Sequence, residues 1–365
     1  MKYVTRTDLP DLQSYLGYLK EIWGSHRVTN DGDLVRLLEE RTAQYLGVSD
    51  ILLVSSGTSA LQLALKAFGL SGQVITTPFT FAATTNSLIW EGIEPVFADI
   101  DPETFCIDPD DVERMITPKT SAILAVHVFG NPCQVEVLEE LAARNDVKLI
   151  YDAASAFGVT YKDRPLVDFG DAAILSSHAT KVFSTAEGGA IACSDNGIFE
   201  DLKLMRNHGI KSEKTVLLPG INAKMSEFHA ALGLCNLEGL DERIGMRKVR
   251  HERYMEILGA CSRVRFQKIT ASRYNYSMLP IILNSKGDRD RTSAELQKAG
   301  YVPRIYFEPL ACDFDYFTDK GSNRAVGGEL TVARKVSETV LCLPLYPDLE
   351  LSAVDEVAGI VKRSA

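Results

Sequence analysis

Residues 121–128, SAILAVHV, and residues 147–152, VKLIYD, are short runs that are apolar on both faces. Runs of this kind are expected of strands in a parallel or mixed sheet covered by helices, because no position along them is left for water. Working outward, further β-rich runs stand at 73–77 (QVITT), 95–99 (PVFAD), 172–176 (AAILS) and 189–193 (GAIAC). Apolar residues at helical spacing alternate with them, over 34–46 (LVRLLEERTAQYL) and 59–68 (SALQLALKAF). The first two thirds of the chain is therefore predicted to be α/β around a central, mostly parallel sheet. From about Met225 to Arg253 the pattern turns helical, and strands near 276–283 (YSMLPIIL) and helices near 292–299 and 352–362 follow. This reads as one long connecting helix into a smaller α+β domain, with a large domain over 1–240 and a small one over 241–365.

The 365 residues suffice for two domains with a large core. Hydrophobic residues at 45% and charged ones at 24% are ordinary globular values, which sets aside disordered, collagen-like and coiled-coil classes. Against 49 acidic residues stand 39 basic ones, and the net charge of −10 repels a phosphate backbone and an anionic membrane alike. Neither nucleic acid nor membrane is an expected partner. The opening MKYVTRTDLP lacks the basic-then-apolar layout of a secretory signal, and no apolar run is long enough to span a bilayer, so a cytoplasmic protein is expected. Seven scattered cysteines without a CxxC pair predict buried small hydrophobes, with no disulfide framework and no metal.

Three segments carry chemistry. VSSGTSA at 54–60 passes into a helix expected to begin near Ala60. Small residues there let backbone amides turn toward one point at a helix start, which suits a phosphate; the alternative is a plain N-cap and turn. VKLIYDAA at 147–154 puts Asp152 at the end of an apolar strand, where it either caps the next loop or holds a cationic ligand group. LSSHATKVFSTAEGGA at 175–190 puts Lys181 just after a buried strand, among uncharged neighbours apart from Glu187. Most lysines are solvated surface charges, but a partly desolvated one has a lowered pKa and becomes a nucleophile for a carbonyl. Together the three match the needs of pyridoxal 5'-phosphate: donors for its phosphate, an anion for its ring nitrogen and an amine for its aldehyde. Phe81, in TTPFTFAATTN at 76–86, could stack on the ring or belong to the core.

With these motifs, and with SHRVTNDG at 25–32, PVFADIDPETFCIDP at 95–109, GINAKMSEFHAALGL at 220–234 and PRIYFEPL at 303–310, nearly the whole chain resembles the DegT/DnrJ/EryC1/StrS sugar aminotransferases of PLP fold type I. The resemblance implies that Lys181 joins the cofactor aldehyde and then shuttles the proton, Asp152 faces the ring nitrogen, Phe81 stacks on the ring and Ser155 lies near the phenolic oxygen. Gly57, Thr58 and Ser176 would bind the phosphate, completed by Asn222 from the second subunit of a homodimer. Thr29, His178, Arg304 and Tyr306 are implied neighbours of the sugar substrate. Three positions depart from the family's usual pattern: Ser155 replaces Gln or His, Ser177 replaces Phe, and Lys224 replaces Arg.

The activity implied is transfer of the amino group of L-glutamate, through pyridoxamine phosphate, to a nucleotide-linked keto-sugar. The opening VTRTDLPDLQSYLGYLKEIW and the HATKVF segment resemble the branch that aminates the fourth carbon of dTDP-4-keto-6-deoxyglucose for surface polysaccharide. A 3-keto, UDP- or GDP-linked acceptor is the alternative. A dehydratase, which has His in place of the lysine, and a non-catalytic sensor are the rival classes; retention of Lys181 and of the cofactor residues argues against both.

Overall fold

The computed structural model describes residues 1–317 and 326–365. Eight strands form the central sheet, in the order Val326–Gly327, Glu94–Phe97, Gln73–Thr76, Thr120–Val126, Lys148–Asp152, Ala172–Ser176, Gly189–Cys193, Leu52–Val54. All neighbours pair parallel except those of Gly189–Cys193, which runs against both of its own. The doubly apolar runs have the predicted cause. Leu53, Ile75, Ile123, Leu149 and Ala173 point into the core on one face, and Leu52, Val74, Leu124, Ile150 and Ile174 into a separate core on the other. Each large apolar side chain so buried contributes about 1.5–3 kcal/mol.

This topology gathers the chemistry at one edge. The carboxyl ends of Leu52–Val54, Gln73–Thr76, Lys148–Asp152 and Ala172–Ser176 fall together, with the amino end of Gly189–Cys193 between two of them. Gly189 sits opposite both Val54 and Ser176 in register. Open α/β sheets bind ligands outside the carboxyl ends of their strands.

A second, antiparallel sheet of Val264–Phe266, Leu279–Leu283 and Val340–Leu343 packs with the helices Leu240–Leu258 and Leu351–Ser364 around its own apolar core. Two short strands tie the regions together: Lys2–Tyr3 pairs with Tyr301–Val302, and Val326–Gly327 extends the central sheet.

Three predicted boundaries move. The helix expected near Ala60 begins at Gly57, because the Ser56 hydroxyl accepts from the Ser59 amide while the Ser59 hydroxyl returns to the Ser56 amide. The single helix expected over 225–253 is two, Glu227–Leu237 and Leu240–Leu258, parted where Glu238 is extended and Gly239 has φ +68°. The helix expected from 292 starts at Lys286, capped by Ser285. Among the described residues no helix is long and apolar enough to cross a membrane, and no group of three or more His, Cys, Asp or Glu could hold a metal ion.

Candidate active site

The Ser55–Ser56–Gly57 turn lies directly against Gly189 and Ser176. A Cβ at Gly189 would fall 2.5 Å from the Ser56 carbonyl, so glycine is required there by the close approach, and one at Gly57 would make a tight 3.1 Å contact with the Ser176 Cβ. The amides of Gly57 and Thr58, at the first turn of helix Gly57–Ala67, have no acceptor among the described residues. They share this corner with the Ser176 hydroxyl, which accepts from the His178 amide at 3.4 Å. Open amides at the positive end of a helix, beside hydroxyls, form an anion site.

Lys181 comes next along the same edge. Its Nζ donates to the Ser155 Oγ at 3.0 Å, and burial lowers its pKa from the ordinary lysine value while the nearby Asp152 charge partly opposes the shift. Asp152 is only 6% exposed, and both of its oxygens are held: Oδ1 accepts from the Ala154 amide at 3.1 Å and Oδ2 from the Thr84 hydroxyl at 2.7 Å. Ser155 is itself fixed from behind, since Asn275 Nδ2 donates to the Ser155 and Phe157 carbonyls at 2.9 and 3.0 Å. The arrangement is a part-buried amine able to act as nucleophile or base, a carboxylate to balance a cationic ring, and an anion cradle on the other side.

The remaining predicted residues have their own local surroundings. Phe81 is 59% exposed and is the N-cap of helix Ala82–Trp90, so it is not part of the core. His178 and Glu187 approach to 3.7 Å. Arg304 lies over the Tyr306 ring at 4.8 Å, and Tyr306 meets Phe129, the neighbour of Gly130, whose backbone abuts the Ser155 carbonyl. Asn222 is exposed, and its side chain makes no hydrogen bond among the described residues; the next residue, Ala223, accepts from the Ser55 amide at 2.8 Å. Of the three departures, Ser155 reaches the lysine, Ser177 bonds Thr185 at 2.7 Å, and Lys224 donates to Asn207 Oδ1 at 2.7 Å.

Thr29 sits in a tightly held turn. Asn30 and Asp31 have φ of +62° and +55°, and the Arg27 guanidinium donates to both of their carbonyls. Asp31 pairs with the buried Arg206 at 2.9 Å. Glu227 closes the turn: its amide donates to the Val28 carbonyl at 3.0 Å, and its buried carboxylate accepts from the Leu34 and Val35 amides, each at 3.0 Å, capping helix Asp33–Leu46. Glu227→Ala should therefore lower stability by about 2–3 kcal/mol, from loss of the two charge-assisted hydrogen bonds that cap the helix. Chemical denaturation measures the loss, and hydrogen exchange should localise the loosening to residues 28–35.

Sequence reasoning did not single out Thr84, Thr80, Asn275 or Glu227. The i, i+4 spacing of two threonines across a helix start, in FTFAATT, was the available signal for the first pair.

The model of the DegT/DnrJ/EryC1/StrS aminotransferase family matches residues 13–362. A Shigella dysenteriae protein named dTDP-4-amino-4,6-dideoxy-D-glucose transaminase is 38% identical over 368 residues, spanning 99% of this chain and 98% of its own. Among solved structures, DesI in the presence of its TDP-sugar product is similar with a TM-score of 0.91 at 32% identity, over 99% of this chain and 92% of that one. NtdA from Bacillus subtilis with bound cofactor PMP is similar with a TM-score of 0.89 at 28% identity, over 97% of this chain and 81% of that one.

Proposed function

The chain belongs to the DegT/DnrJ/EryC1/StrS aminotransferase family, and from that premise we propose that it transfers the amino group of L-glutamate to dTDP-4-keto-6-deoxyglucose, giving a 4-amino-4,6-dideoxy sugar nucleotide. The observation that carries this reading is the part-buried Lys181 amine, held by Ser155 near Asp152 at the ligand edge of the sheet. The names of the Shigella relative and of the DesI structure support a dTDP-linked acceptor.

The residues present fit pyridoxal phosphate. Gly57, Thr58 and Ser176 would take its phosphate, Asp152 its ring nitrogen and Lys181 its aldehyde, with Phe81 over the ring and Ser155 near the phenolic oxygen. When bound, the cofactor supplies the electron sink that lets an amino group be exchanged for a keto oxygen. Lys181 moves the proton: its lowered pKa leaves Nζ free to accept one at a lower pH than an ordinary lysine, and Ser155 keeps Nζ aimed. Asp152, whose carboxylate is held at both oxygens, would favour the protonated ring nitrogen of the bound cofactor.

Asn222 completes the phosphate site of a second copy, so the working unit is a homodimer with shared sites. The exposed, unpartnered Asn222 and the exposed apolar Ile210, Val216, Leu217 and Ile221 beside it support this. Thr29, His178, Arg304 and Tyr306 line the sugar side. The protein works in the cytoplasm, where its free cysteines stay reduced.

The test is spectroscopic. The protein loaded with pyridoxal phosphate should be yellow, bleach on addition of L-glutamate, and recover its colour with dTDP-4-keto-6-deoxyglucose as the amino sugar appears by mass spectrometry. Recovery with a UDP-, GDP- or 3-keto sugar instead would reassign the acceptor. No bleaching with any amino donor would overturn the transaminase reading.

A further inference from the structure

We propose that Thr84 is a positioning residue which, with Thr80 behind it, orients the Asp152 carboxylate toward the cofactor's ring nitrogen. This rests on the reading of the site given above and adds a part of it that the motifs do not name.

The hydrogen-bond directions follow from counting hydrogens. Thr84 Oγ1 donates to Asp152 Oδ2 at 2.7 Å and has only one hydrogen to give. Its 2.8 Å contact with Thr80 Oγ1 therefore has Thr80 as donor. The result is a one-way relay, Thr80 to Thr84 to Asp152, in which each hydroxyl polarises the next. All three side chains are buried: Thr84 is 0% exposed, Thr80 2% and Asp152 6%. Water cannot substitute for a missing donor at such a place, and a hydrogen bond to a charged group is about twice as strong as a neutral one.

The relay also lies on the same turn of chain as Phe81. The Thr84 amide donates to the Phe81 carbonyl at 3.2 Å, and Thr80 and Thr84 flank that residue at the start of helix Ala82–Trp90. On the far side, the Asp152 carbonyl accepts from the His127 amide at 3.0 Å, which stops the strand end from swinging. One helix start thus sets two faces of the ring site together, the aromatic surface and the angle of the carboxylate.

Thr84→Val keeps the shape of the side chain and removes the hydroxyl; Thr84→Ser keeps the hydroxyl. With the full-length protein, Thr84→Val should weaken binding of pyridoxal phosphate by about tenfold or more, shift the pH titration of the bound cofactor's visible band, and lower kcat more than KM, while Thr84→Ser should restore all three toward the parent. Thr80→Val, which spares the bond to Asp152, should move them in the same direction by about two- to threefold, and it serves if Thr84→Val does not fold. In the Asp152→Asn background, Thr84→Val should add little. A folded Thr84→Val, or Thr80→Val in its place, with the parent's cofactor affinity and band titration overturns the proposal. Failure of the parent protein itself to take up pyridoxal phosphate would instead overturn the reading of the site.

Discussion

Lys181→Ala is expected to abolish turnover while leaving the fold and the phosphate cradle in place. The variant loses both the group that would anchor the aldehyde and the amine that bonds Ser155, and positioned proton transfer alone accounts for about a hundred- to ten-thousandfold in rate. Single-turnover mixing with L-glutamate is the assay, and a variant retaining even a hundredth of the parent rate would mean that another group moves the proton. The same lysine carries a cost in the cofactor-free protein. Its folded pKa lies below the unfolded value, so the unfolded chain binds the proton more tightly. The resulting penalty grows as pH falls from the ordinary lysine value to the lowered one, and stays constant below that. Lys181→Met, which keeps the apolar stem and removes the amine, should therefore raise the stability of the cofactor-free protein at neutral pH, with the gain vanishing as pH rises past the ordinary lysine value.

The second large effect is expected from Asp152→Asn. Two opposite charges at about 4 Å attract by about 4 kcal/mol at an effective dielectric of 20, so a carboxylate that would balance a cationic ring nitrogen would account for roughly a thousandfold in rate or affinity. The amide also upsets the relay. Its Oδ1 could still accept from the Ala154 amide, but an NH2 group would then face the Thr84 hydroxyl, whose single hydrogen would be left without its acceptor. Turnover should fall about a thousandfold, with cofactor binding weakened and thermal stability changed far less. Near-parental turnover would show that the ring nitrogen needs no anion here.

The central sheet and most of its strands were legible because those strands are apolar on both faces, a pattern that a solvated loop or surface helix does not produce, whereas their order was not read. The strand Leu52–Val54 was harder, being three residues long and running straight into the Ser/Gly turn. Helices such as Val135–Asn145 and Asn196–Met205 were not picked out, since their apolar stripes are short and interleaved with charge. The break at Gly239 escaped because apolar residues at helical spacing resume at once on its far side, with Leu240 and Ile244 buried. In the site, Lys181, Asp152 and the Gly57 turn announce themselves by residue type at strand ends. Thr84 does not: a buried threonine on a helix looks like filler until its distance to Asp152 is known. Glu227 likewise reads as one more acidic helix residue, and only the fold brings its carboxylate to the amides of residues 34 and 35.

The central claim is that one amine, on residue 181, forms the bond to the cofactor. Borohydride reduction of the protein loaded with pyridoxal phosphate, followed by peptide mass spectrometry, tests it directly. The reduced cofactor should be found on the peptide carrying Lys181 and on no other, in close to one copy per chain; its appearance on a different lysine, or its absence from a protein that is visibly yellow, would contradict the account.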